Sequence, residues 1–269
     1  MYLVFQYVKI NFIKEKRGIC RFPVNKDSRK ETIVMTDPNN KSIFQQNETS
    51  DWMLTYTFHV EDNPNVIAVK YPRYPDMYCQ YGSYNTQRTA KEVHEFLKND
   101  FPDMSFNAIV IVRAGMIQGP ACYDHVSNNL FVKEELSDPD KFSKVVNEAY
   151  FPARNIHDVI MHEVGGHKRH WQSIRAFYNQ NRDQFIDIDD AKNNLETDLR
   201  RYVKEMDYED AEWINRTISE NASMSFKFPK RIADRLNELI ADAIVLKSQH
   251  KLKADRLWKL IQEVISYDD

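Results

Sequence analysis

His157–His170 reads HDVIMHEVGGHKRH, and four of the chain's eight histidines fall within it. Glu163 directly follows His162, and His167 lies five residues after His162. An α-helix advances about 100° per residue, so side chains five apart diverge by about 140°. Residues four apart differ by only about 40°, the spacing at which two histidines of one helix hold one metal ion. A π-type turn, closed between residues i and i+5, absorbs the extra position and swings the second histidine back. Gly165 and Gly166 stand where that distortion falls. Each costs about 1 kcal/mol relative to alanine in a helix interior, so a soft backbone has been kept there. Asn155 is a good N-cap, with Asp158 in the first turn. The stretch therefore predicts a helix from Ile156 to about His170, widened near Val164–Gly166.

A zinc site that does chemistry takes three protein ligands and leaves a position for water. The third ligand is sought on another helix. Phe228-Pro229 opens the clearest helical pattern of the chain, Pro229–Lys247, with proline at the position where its missing N–H is harmless. Ile232, Leu236, Leu239, Ile240 and Ala243 form its apolar stripe. Glu238 and Asp242 lie four apart on one face, in the run Asn237-Glu238-Leu239-Ile240-Ala241-Asp242. Glu238 can reach the metal while Asp242 holds a ligand histidine by its other ring nitrogen, which fixes the tautomer. His170, three residues after His167, is the rival third ligand. His157 reads as a surface residue.

HEVGGH and NELIAD together resemble the paired motifs of zincin-fold zinc metallopeptidases of the glutamate-ligand branch. The six-letter H-E-x-x-G-H form is similar to that of the dipeptidyl peptidase III family. The resemblance covers roughly a dozen residues. Asn237 stands where that family has glutamate, Ile240 where it has arginine, and Lys168-Arg169-His170 replaces its small, glycine-containing segment. Enzymes of that family are also much longer. The resemblance implies zinc held by His162, His167 and Glu238, with Glu163 as the general base of peptide hydrolysis and Asp242 as the closing acid. It also implies an edge strand along the cleft that pairs with extended substrate, supplied by Asn128–Val132 or by Gly115–Tyr123. Tyr202, Tyr208, His170 and Arg231 are candidate donors to the substrate oxyanion.

Around the motif, the chain of 269 residues reads as α+β, with a small mixed sheet before the histidine helix and a helix-rich C-terminal half. Residues 1–80 look β-rich, with strands at Met53–Val60 and Val66–Tyr71 around the turn Asp62-Asn63-Pro64. A boundary near residue 80 separates them from a zincin-like region, 81–269. Within that region Thr86–Asn99 reads as a helix and Phe106–Val112 as a buried strand. Helices are expected at Trp171–Tyr178, Asn194–Met206, Glu209–Ile218 and Lys251–Ile265.

Composition narrows the function classes. A net charge of −3 argues against general nucleic-acid binding, which needs a basic surface. Three widely spaced cysteines, Cys20, Cys79 and Cys122, suggest a reducing compartment rather than a disulfide framework. The polar-interrupted N-terminus reads as a strand, and no run of about 18 apolar residues exists to span a membrane. The expectation is a cytoplasmic protein, or one secreted without a recognisable signal peptide, whose partner is a peptide or protein substrate. The competing reading is a helix-rich partner-binding protein, with or without a structural zinc, whose charged stretch 190–235 is the contact surface.

Overall fold

In the computed structural model, the described residues are 55–60, 63–71, 73–74, 76–80, 82–117, 119–148, 152–205 and 232–266, all inside the unit Met35–Asp269. They form a mixed α/β structure, which agrees with the α+β expectation. Six strands make one sheet: β1 (Thr55–Val60), β2 (Asn63–Lys70), β3 (Met77–Cys79), β4 (Ala108–Val112), β5 (Ala121–Asp124) and β6 (Asn129–Lys133). Their spatial order is β1-β2-β3-β4-β6-β5. Strands β3, β4 and β6 run parallel, and β1, β2 and β5 are joined antiparallel. The strands before and after residue 80 thus belong to the same sheet.

Alternation along β4 explains how the sheet carries two cores. Successive side chains of a strand point to opposite faces. Ile109 and Ile111 join Met77, Cys79, Leu130 and Val132 on one face, under helix α1 (Tyr84–Asp100), which contributes Ala90, Val93, Phe96 and Leu97. Val159, Ile160 and Val164 from the start of the histidine segment complete that layer. Val110, Val112 and Phe131 point the other way, with Phe58, Val66 and Ala68. Every residue of β4 is buried, which is why its sequence is a continuous apolar run without polar alternation.

Helix α1 starts two residues before the expected Thr86 because Ser83 caps it. Its hydroxyl accepts from the Thr86 N–H at 3.1 Å, while Thr86 Oγ1 accepts from the Ser83 N–H at 3.2 Å. A helix unforeseen in the sequence, α2 (Pro139–Glu148), follows β6. The histidine segment comprises α3 (Ile156–Ile160), the π-helical Met161–Lys168 and α4 (Arg169–Gln180). The single helix expected over Asn194–Met206 is two, α5 (Ile188–Leu195) and α6 (Thr197–Glu205), with Glu196 at the break. Helix α7 (Ile232–Ser248) matches the described part of the Pro229–Lys247 expectation, and α8 is Asp255–Ile265. Leu199, Tyr202 and Val203 of α6, Leu236, Leu239, Ile240 and Ala243 of α7, and Leu257, Ile261 and Val264 of α8 form a separate apolar cluster. At about 1.5–3 kcal/mol for each fully buried large apolar side chain, this cluster outweighs any polar contact in fixing α7.

The expected helix Glu209–Ile218 lies outside the described residues, as do Tyr208 and Arg231. No helix among the described residues is long and apolar enough to cross a membrane. Of the two segments expected at the cleft edge, Asn128–Val132 falls in β6 apart from its first residue, and β6 is interior, hydrogen-bonded on both sides. Strand β5, inside Gly115–Tyr123 apart from its last residue, is an edge strand of the sheet among the described residues.

Candidate metal centre

The Asn155 side chain accepts from the Asp158 N–H at 2.9 Å and starts α3. The widening then extends over Met161–Lys168, more than the single bulge the spacing required. An i→i+5 turn stacks residues five apart, and His162 and His167 converge. Their Nε2 atoms are 3.0 Å apart and their rings meet edge to face at 4.7 Å.

Helix α7 crosses this turn closely. Gly166 faces Ala241: a Cβ at Gly166 would lie 2.5 Å from Ala241 Cβ and 2.6 Å from its Cα. Only two such small residues allow this approach. Because Glu238 and Asp242 flank Ala241, the contact delivers both carboxylates to the histidines. Glu238 Oε2 is 3.4 Å from His162 Nε2, and Oε1 is 3.6 Å from His167 Nε2. Asp242, fully buried, places Oδ1 3.1 Å from His162 Nδ1. That pairing leaves Nε2 of His162 as the nitrogen facing Glu238 and His167.

Zinc bonds of about 2.0–2.1 Å in a tetrahedron put neighbouring ligand atoms about 3.3–3.4 Å apart. The three separations here, 3.0, 3.4 and 3.6 Å, bracket that value. Two imidazoles and a carboxylate are also a donor set suited to zinc, so the residues fit the ion. Glu163 is adjacent, since ligand atoms of His162, Glu163 and His167 all lie within 4.8 Å of one another. Its Oε2 accepts from the Tyr123 N–H at 2.8 Å in a buried bond. Burial disfavours a charge on His162, but Asp242, Glu238 and Glu163 outweigh it and raise the imidazole to about 10. The surroundings therefore favour positive charge at this point.

His170, the rival ligand, is fully buried and points elsewhere, its Nε2 2.9 Å from Glu196 Oε1. Lys192 reaches the same oxygen at 2.5 Å, and Arg200 bonds Oε2. Burial works against the Glu196 charge, yet His170, Lys192 and Arg200 overcome it and lower its pKa to about 2. This explains the helix break at Glu196: the turn aims the carboxylate inward and ties α4, α5 and α6 together. Tyr202, a proposed oxyanion donor, is buried in the C-terminal apolar cluster with Arg256 over its ring at 5.1 Å. His157 is exposed, as expected, and stacks on Phe96 at 4.6 Å.

The sequence reading missed four residues around the centre. Tyr123 acts through its backbone N–H, which leaves no mark on residue type. Lys168 is buried, with Nζ donating to Asn128 Oδ1 at 2.6 Å and lying 4.5 Å from the Phe106 ring centroid; burial lowers its pKa to about 8. His125 stacks on Trp171, and Glu196 is described above. Of these, His125 had a readable signal, a histidine at the end of an edge-strand candidate. Comparisons of the chain with protein-family models, with curated proteins and with solved structures returned no match.

Proposed function

We propose that this chain is a zinc-dependent peptidase with a zincin-like architecture. The observation that carries the reading is the convergence of His162 Nε2, His167 Nε2 and the Glu238 carboxylate at tetrahedral spacing. These three side chains would hold the ion, and Asp242 orients His162. Zinc bound there supplies Lewis acidity and makes water a nucleophile near neutral pH.

Glu163 is the general base. One of its oxygens is held by Tyr123, so the other is directed without needing to be ordered during reaction. Glu163 takes a proton from the attacking water as the new C–O bond forms. It returns that proton to the amide nitrogen as the C–N bond breaks, giving a carboxylic acid and an amine. Strand β5 supports a peptide as the substrate. The Lys133 N–H donates to Pro120 O, and antiparallel alternation then turns the backbone groups of Ala121 and the Tyr123 carbonyl outward, the Tyr123 N–H being held by Glu163. An extended peptide pairing at this edge lies beside Glu163.

The test is zinc content and cleavage of a randomised decapeptide library by the purified chain and by Glu163→Gln. The expected result is about one zinc in both, with turnover reduced about 10²–10⁴-fold in the variant. A metal-free, folded wild type, or equal cleavage by both proteins, overturns the proposal. Zinc without cleavage, with unfolding on chelation, identifies a structural ion instead.

A further inference from the structure

Of the four candidate oxyanion donors, the two among the described residues, His170 and Tyr202, do not face the centre. His170 is turned to Glu196, and Tyr202 is packed in an apolar cluster. We infer that His125, at the C-terminal end of edge strand β5, hydrogen-bonds the carbonyl oxygen of the bound peptide as that oxygen gains charge.

His167 lies on one face of its helix. Trp171 and Arg175 follow it at successive four-residue steps, so the three side chains form one stripe. The strand end is fastened to that stripe. The His125 ring lies flat on Trp171, with centroids 3.8 Å apart and an interplanar angle of 3°. The Arg175 guanidinium donates to the His125 carbonyl. Two residues back along the chain, the Tyr123 N–H holds Glu163. One short segment, Tyr123–His125, thus touches the proposed base at one end and the helix turn after His167 at the other. Burial holds the His125 pKa below the ordinary histidine value.

The ring is rigidly held but uncommitted. Among the described residues, neither ring nitrogen of His125 has a hydrogen-bond partner, and the residue is only partly buried. A donor whose orientation is fixed before substrate arrives needs no reorganisation as charge develops. The stack on Trp171 supplies the fixed orientation, and the free nitrogens supply the donor.

This inference rests on the peptidase reading, and the variants separate the two. His125→Phe keeps an aromatic ring on Trp171 and removes the donor; His125→Gln keeps an N–H and loses the stack. Wild type, both variants and Glu163→Gln are compared on one peptide cleaved from the randomised library. Zinc content, melting temperature and calorimetric affinity for the phosphinic analogue of that peptide are also measured. Loss of one such donor typically lowers turnover about 10²–10³-fold. The expected result for His125→Phe is that loss in kcat, with KM within about threefold, a similar loss in analogue affinity, and unchanged zinc and melting temperature. His125→Gln should recover part of kcat. Wild-type turnover by His125→Phe overturns the assignment and leaves the peptidase reading intact. So does a loss that tracks zinc content or melting temperature, because His125 is then only structural. A wild type that cleaves nothing, like Glu163→Gln, ends both.

Discussion

Replacing Gly166 with alanine tests the assembly of the site without touching a ligand. The new Cβ would sit 2.5 Å from Ala241 Cβ and 2.6 Å from its Cα. Nonbonded carbons rest about 3.5–4.0 Å apart, so α7 and the π-helical turn must separate by about 1 Å. Neither contact atom is a flexible chain end that could swing aside. Such overpacking costs about 1–3 kcal/mol, against a gain of about 1 kcal/mol from alanine in a helix interior. The net loss, up to about 2 kcal/mol, lowers the melting temperature by up to about 8 °C in a chain of this size class. The effect on zinc is larger, because usable metal sites hold ligand distances to about 0.2 Å and Glu238 moves with Ala241. Zinc affinity should fall at least about tenfold. Gly165→Ala is the control. Its Cβ meets the flexible Met161 Sδ at 2.9 Å, and Ile244 and Phe101 only at 3.4 Å. That variant should keep its zinc and melt within about 2 °C of wild type. Thermal melts and zinc retained after dialysis, measured on both variants, decide the matter. A Gly166→Ala protein with wild-type zinc and melting temperature would refute the close-contact argument, as would Gly165→Ala being the more damaged.

Two further outcomes are expected. Glu238→Ala should lose most of its zinc on dialysis. His170→Ala should keep it but lose about 1–3 kcal/mol of stability, because Glu196 remains buried with one partner fewer; the reverse ranking by zinc analysis and melting returns His170 to the metal. The lowered Glu196 pKa also sets a pH dependence. Its folded value of about 2 lies below the ordinary 4.5, so its contribution is present above about pH 4.5 and disappears as pH falls toward 2. Acid titration of stability should be flatter in that window for Glu196→Gln than for wild type, and parallel curves would show that Glu196 does not govern it.

What could be read in advance followed from periodicity and motif spacing. The i,i+5 histidines demanded a widened turn, and the Asn155 cap placed its helix. The apolar stripe of α7 fixed which face of that helix is buried, and so where Glu238 and Asp242 had to be. The strand order was not legible, because the short apolar runs of β5 and β6 look alike and only pairing shows which is the edge. The two glycines were read as one soft spot, but they have different surroundings. Gly166 is needed for the approach of Ala241, a contact between segments distant in the chain that no local pattern encodes. The break at Glu196 was hidden for the same reason: its cause is the cationic and imidazole groups that gather on it in three dimensions. Main-chain contacts such as Tyr123 to Glu163 carry no residue signature at all.

The arrangement of the two glutamates bears on whether a bound zinc is catalytic or structural. A structural ion is closed by a fourth protein ligand, and Glu163 is the near candidate. For Glu163 to close the site with both oxygens, it must leave Tyr123. That would orphan a buried backbone N–H and forfeit a charge-assisted hydrogen bond of roughly 1.5–3 kcal/mol. The bond therefore disfavours bidentate closure, and the oxygen that Tyr123 leaves free is the one available to a water beside the ion. Exposure is graded in the same sense. The His162 side chain is 6% exposed, His167 14% and Glu238 29%, so the centre is shut on the side of His162 and Asp242 and opens toward His167 and Glu238. Water can reach the open side, and His125 is fastened to the helix turn that follows His167. A hydrolytic ion needs a held base and a side open to water; in the proposed reading Tyr123 holds the base and the His167–Glu238 side supplies the opening.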